Sequence, residues 1–110
     1  ISFVSRERPE EEYVDRMRRK ELDDFLRLLK NENFDANRTK LVLALSNKAS
    51  FTVIEIQEIL YIYSFDEEKL KVAKLLFDNC SDKKNYYTLV DQFSFSSNKK
   101  DLQDFIRAHH

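Results

Sequence analysis

Two histidines, one cysteine, many carboxylates, a short basic run and a set of tyrosines are the residues of this 110-residue chain whose chemistry goes beyond packing. His109 and His110 stand at the very end. A terminal imidazole is poorly placed to hold the fixed geometry that acid–base or metal chemistry requires, so no triad or metal site is expected from them. His109 does continue the spacing of Leu102, Phe105 and Ile106, which predicts partial packing. The single cysteine, Cys80, has no partner for an internal disulfide. It falls on an apolar helix face and is expected as a small buried hydrophobe. Lys83 and Lys84 follow it and are the only local feature favouring a reactive thiol. Neither a metal nor a cofactor is expected.

The paired acids Asp23-Asp24 and Glu67-Glu68 and the run Glu10 to Glu12 fall in first turns or on polar faces. Solvated helix surface explains them better than the fixed pair of a glycosidase. Asp78, Asn79 and Asp82 cluster at a helix end, where capping is the expected role. Arg16, Arg18, Arg19 and Lys20 form the densest basic run, interleaved with Asp15, Glu21, Asp23 and Asp24. That pattern predicts an ion-paired helix face, with nucleic-acid or anionic-ligand binding as the alternative use. Tyr61, Tyr63, Tyr86 and Tyr87 are the set best suited to recognition, because a tyrosine beside apolar surface is a favoured binding anchor. Tyr86 is expected inward, which leaves Tyr61, Tyr63 and Tyr87 as the candidate partner contacts.

The elements that must position these residues follow from composition and period. Hydrophobic residues make up 42% and charged residues 35%, enough apolar content to build one domain's core. Lys+Arg of 19 against Asp+Glu of 20 gives a net charge of -1, without the global positive field of a nucleic-acid binder. Glycine is absent, which removes phosphate-cradling loops, dinucleotide fingerprints, nucleophile elbows and EF-hand loops together. The chain begins at Ile1, so a processed or trimmed N-terminus is expected and no signal segment can be judged. No apolar run is long enough to suggest a membrane span.

Residues 1–8 carry no helical period and read as an extended lead-in, with a single helical domain over 9–108. Pro9 and the acids after it open a first helix with Val14, Met17, Leu22, Phe25, Leu26 and Leu29 on one stripe. Phe34-Asp35 opens a second, with Leu41, Val42 and Leu45 inward. Phe51-Thr52 opens a third, where Thr52 and Glu55 form a capping box and Ile56 can staple to Phe51. That helix is apolar on most sides and is expected at the centre. Phe65-Asp66 opens a fourth, running to Cys80. Asp82 caps a fifth carrying Tyr86, Leu89, Val90 and Phe93, and Phe95 with Ser96 or Ser97 opens the sixth. Phe34, Phe65 and Phe95 thus recur with a period of about 30 residues, each followed by a helix cap, a basic residue and an apolar face. The expected fold is all-α: about six short helices, arranged as two stacked hairpins over 34–64 and 65–94 between flanking helices.

The same segments carry a family resemblance. Ser64-Phe65-Asp66 with Lys69-Leu70 and Val72-Ala73-Lys74, then Asp82 with Asn85-Tyr86-Tyr87, then Phe93 to Ser97 closing on Leu102 and Ile106, resemble domain of unknown function 4476. Phe51-Thr52 with Gln57 and Ile59-Leu60 agrees, so the resemblance runs from about Leu22 to Ile106. It implies a small helical domain with no established catalytic activity, common in exported or envelope-associated bacterial proteins and found also in animal proteins. The functional expectation is a non-enzymatic protein- or peptide-interaction or scaffold domain of a larger secreted or envelope protein, monomeric in isolation.

Overall fold

The structure, a computed structural model, describes residues 9–46 and 49–109, with side chains described from Arg18 onward. The lead-in over 1–8, the inward positions Val14 and Met17, the side chain of Arg16, and His110 lie outside the described residues. Five α-helices are formed: α1 Pro9–Asn31, α2 Asp35–Ser46, α3 Val53–Ile62, α4 Asp66–Leu76 and α5 Ser96–His109. A 3-10 turn, Phe77–Asn79, continues α4, and a 3-10 helix, Lys83–Gln92, lies between α4 and α5. The all-α expectation is met, and the described residues contain no strand, only an isolated parallel bridge between Phe51 and Cys80.

Local sequence explains most helix ends. Thr52 Oγ1 accepts the Glu55 N–H while the Glu55 carboxylate accepts the Thr52 N–H, the reciprocal capping box expected at the start of α3. Phe51 and Ile56, the staple pair, are both buried. The fourth helix is shorter than its apolar period, ending at Leu76 before tightening into the 3-10 turn, so Cys80 sits beyond it in the bridge to Phe51. The fifth helix winds as 3-10 throughout. Residues three apart eclipse in that geometry, which lines up Tyr86 with Leu89 and Val90 with Phe93, all four buried. The Tyr86 hydroxyl donates to the Ala73 carbonyl at 2.5 Å, fixing this helix to α4.

Packing runs chiefly between alternate helices. α2, α4 and α5 lie side by side in one row, and α1, α3 and the 83–92 helix in another. α3 meets α1, α4 and the 83–92 helix, the central position expected of it. Ile56, Ile59 and Leu60 of α3 are fully buried with Leu29, Val42, Val72, Leu76, Leu89 and Leu102. α2 departs from its expected apolar face. Val42 is buried as expected and Leu41 and Leu45 are half-buried, but Asp35, Arg38 and Thr39 are buried with them.

Those polar groups hold the turns. The three segments 32–34, 63–65 and 93–95 share one local conformation, each leading into α2, α4 or α5. The helix start differs from the sequence reading by one residue. Phe65, not Asp66, is the N-cap of α4, and the Phe34 and Phe95 carbonyls likewise receive the first helical N–H groups. The aspartates after Phe34 and Phe65 are therefore free to reach the next turn. Asp35 accepts from the Ser64 N–H at 3.0 Å and the Phe65 N–H at 2.9 Å. Asp66 accepts from the Ser94 N–H at 2.9 Å and the Phe95 N–H at 3.0 Å. Arg38 closes the preceding turn by donating to the Leu29 and Glu32 carbonyls and pairs with Asp35 at 2.7 Å. Removing one member of a buried ion pair strands the other, so Asp35→Ala is expected to cost about 3–5 kcal/mol. Urea unfolding measures this, and a loss under about 1 kcal/mol would contradict the bonding described.

Candidate functional site

The described part of the basic run, Arg18 to Lys20, is occupied within the chain. The Arg18 guanidinium donates to both oxygens of Glu55 and to the Ser50 carbonyl. Arg19 reaches Glu58 and Asp23, and Lys20 reaches Asp24 at 3.1 Å. The face is a salt-laced contact between α1 and α3, which leaves little uncompensated positive charge on these three side chains.

The carboxylates that sequence reading assigned to solvent or to their own helix ends divide differently. Asp82 does not cap the helix that follows it. Its Oδ1 accepts the Val53 N–H at 2.8 Å, the first N–H of α3, and Oδ2 accepts the Asn85 side-chain amide. Asn79 donates to the Ser46 and Ala49 carbonyls. Asn79 and Asp82 thus tie the 79–82 corner to the segment from Ser46 to the start of α3, with Phe51 N–H to Asn79 O and Ser81 N–H to Phe51 O completing the tie.

Electrostatics follow from those bonds. The Val53 N–H is the main influence holding the Asp82 carboxyl below the usual carboxylate range. Burial opposes ionisation of Asp66, but the Phe95 N–H, the Asn98 amide and the Ser94 N–H outweigh it and lower that carboxyl too. Burial pushes the Cys80 thiol up, and its sulfur lies 3.4 Å from Asp82, so Cys80 is the buried small hydrophobe expected. His109 stacks on Phe105 with ring centroids 4.1 Å apart and meets the Phe105 carbonyl through Nδ1, a packed helix end.

The three candidate tyrosines part company. Tyr61 is 80% exposed and Tyr87 64%, both available to a partner. Tyr63 is 4% exposed and is corrected to a core residue. Its hydroxyl shares a hydrogen bond with Thr39 at 3.0 Å, and burial pushes its phenol up to about 12. Tyr61 and Tyr63 thus face different sides, and the side of Tyr63 is filled by α2. Tyr61 lies with Ile54, itself 69% exposed, in a groove also lined by Leu26, Lys30, Gln57 and Ile62, between α1 and α3.

Sequence reading missed a second apolar feature. Phe34, Phe65 and Phe95 point outward, at 68%, 72% and 64% exposure. Being N-caps, they turn away from the helices they open, and Phe65 and Phe95 line a second groove with Leu70, Glu67 and Asn98. The period of about 30 residues located these positions, but the cap stands at the Phe itself and not at the residue after it.

A small all-helical domain whose exposed apolar side chains lie in shallow grooves is the class defined by fold and surface. The chain belongs to the family described as domain of unknown function (DUF4476), whose model matches residues 16–106. The match carries the resemblance, seen from about Leu22, back along α1 to Arg16. No curated protein sequence and no solved structure matches the chain. Among the described residues no helix is long and apolar enough to cross a membrane.

The lowered carboxyls set the pH dependence. With folded values below the unfolded ones, Asp66 and Asp82 contribute stability that is complete above about pH 4 and is lost as pH falls through their folded values. Urea midpoints measured from pH 7 to pH 2 should fall in that acid window. The Asp66→Asn, Asp82→Asn double variant should be less stable at pH 7 and show a flatter acid profile; an unchanged slope would contradict the assignment.

Proposed function

We propose that this domain is a non-catalytic protein- or peptide-interaction module of a larger exported or envelope-associated protein. The observation that supports it best is the groove between α1 and α3, where Tyr61 and Ile54 stand exposed above Leu26 and Ile62. Large apolar side chains grouped in a concavity mark recognition surfaces more often than scattered ones do. Tyr61 gives such a groove a rigid amphipathic anchor, and Lys30, Gln57 and Glu58 give it a polar rim. Helices stacked in rows generate grooves of this kind by construction.

The reading includes a structural repeat of helix pairs. The like turns at 32–34, 63–65 and 93–95, and the matching carboxylate bonds from Asp35 and Asp66, support it. Export and an envelope location rest on the family alone. The described cations of the alternative basic-helix reading, Arg18, Arg19 and Lys20, each face a carboxylate, which favours the groove over the basic face.

The test is retention of partners from a native extract at low and high salt. An apolar groove predicts a protein retained at high salt and lost at least tenfold with Ile54→Ala, Tyr61→Ala, whose exposed positions should leave the melting temperature unchanged. Tyr63→Phe should retain the partner and lower stability by about 1 kcal/mol, the worth of one hydrogen bond. Nucleic acid or lipid recovered only at low salt would return the argument to the basic face.

A further inference from the structure

The three turns of like conformation are not alike in what they hold. The 94–98 turn grips the Asp66 carboxylate through three donors: the Ser94 N–H, the Phe95 N–H and the Asn98 side-chain amide at 3.2 Å. The turn before α2 carries the same donors in the same places. Asn33 and Phe34 stand where Ser94 and Phe95 stand, and Asn37 stands three residues after its Phe as Asn98 does. Among the described residues, none of those three groups has an acceptor, and Asn37 is half-buried. In the middle turn Glu68 takes the Asn position and accepts from Thr39 instead, so that turn holds Asp35 with its two N–H groups alone.

We propose that Asn33, Phe34 and Asn37 form a receptor for an aspartate carboxylate delivered by the first turn of a partner protein's helix, stacked against α2. The occupant's chemistry is that of the chain's own two examples. Asp35 and Asp66 each open a helix and each grip the turn leading into the next helix of the row α2, α4, α5. α2 is the end of that row, with α4 packed against it, and Leu43 and Phe34 remain exposed there. Two backbone N–H groups at a helix start favour an anion, and the exposed Lys30 and Lys40 flank the turn in sequence. A second copy of this chain lacks the occupant. Its Asp35 and Asp66 are already engaged, and its α5 opens with Ser96.

This deepens the interaction reading at a site separate from the Tyr61 groove, so loss of partner binding on mutating that groove leaves it standing. The probe is a lactam-stapled helical peptide of residues 65–76, the chain's own Asp-first helix, titrated into the full isotopically labelled chain. The readouts are the Asn33 and Phe34 backbone amide signals and the Asn37 side-chain amide signal, with acetate at equal ionic strength as a parallel arm. Saturable shifts at those three groups are expected, at least tenfold weaker with the Asp66→Asn peptide and with the Asn37→Ala chain. Acetate should bind at least tenfold more weakly than the peptide. Equal binding of acetate and peptide would assign the turn to a small free carboxylate and overturn the helix occupant. Shifts confined to Ser94 and Phe95, or none at the three groups with either probe, would overturn the receptor itself.

Discussion

The fold depends on a carboxylate placed one residue inside a helix and spent on the turn of another. A helix start leaves N–H groups without partners, and the usual remedy is a side chain at the same helix's cap. Here Phe takes the N-cap place at α4, where it caps nothing with its side chain. The aspartate that follows satisfies the N–H groups at the entrance of the next helix in the row. Each bond is charge-assisted and made by a buried aspartate, so the register between neighbouring helices is set by a short polar contact as well as by apolar packing. Asp82 repeats the principle at the opposite ends of the helices, where it fixes the first N–H of α3.

This arrangement decides what the surface can do. The buried polar groups Asp35, Arg38, Thr39 and Asp66 are consumed in holding helices together, and Arg18, Arg19 and Lys20 of α1 are matched by acids of α1 and α3. Large apolar side chains also remain outward. The cap phenylalanines must leave their helices, and α3, apolar on most sides, packs chiefly on α1, α4 and the 83–92 helix and leaves Ile54 and Tyr61 in the open. The exposure of these surfaces is a consequence of the scaffold's own construction.

Much of this was legible in the sequence because it rests on periodicity. The helix order, the α3 capping box, the central place of α3 and the buried Cys80 follow from apolar spacing and local cap chemistry. The length of α4 and the 3-10 winding of 83–92 did not, since a face of Tyr86, Leu89, Val90 and Phe93 suits either helix type over two or three turns. Tyr63 was misread because its partner is Thr39, 24 residues away, and no local pattern announces a hydroxyl pair between helices. The roles of Asp35, Asp66 and Asp82 were hidden for the same reason. The backbone N–H groups that donate to them lie 28 to 30 residues away in sequence, and each aspartate stands where its own helix gave it an adequate local reason to be.

Native-state hydrogen exchange, residue by residue, on the Asp35→Asn and Asp66→Asn variants tests the central claim most directly. If a carboxylate in one helix fixes the entrance of the next, Asp35→Asn should deprotect Ser64 and Phe65 first, and Asp66→Asn should deprotect Ser94 and Phe95 first. Each loss should exceed that at the mutated helix's own first turn. Deprotection centred on the aspartate's own helix, with the distant turn unchanged, would show ordinary capping and contradict the account.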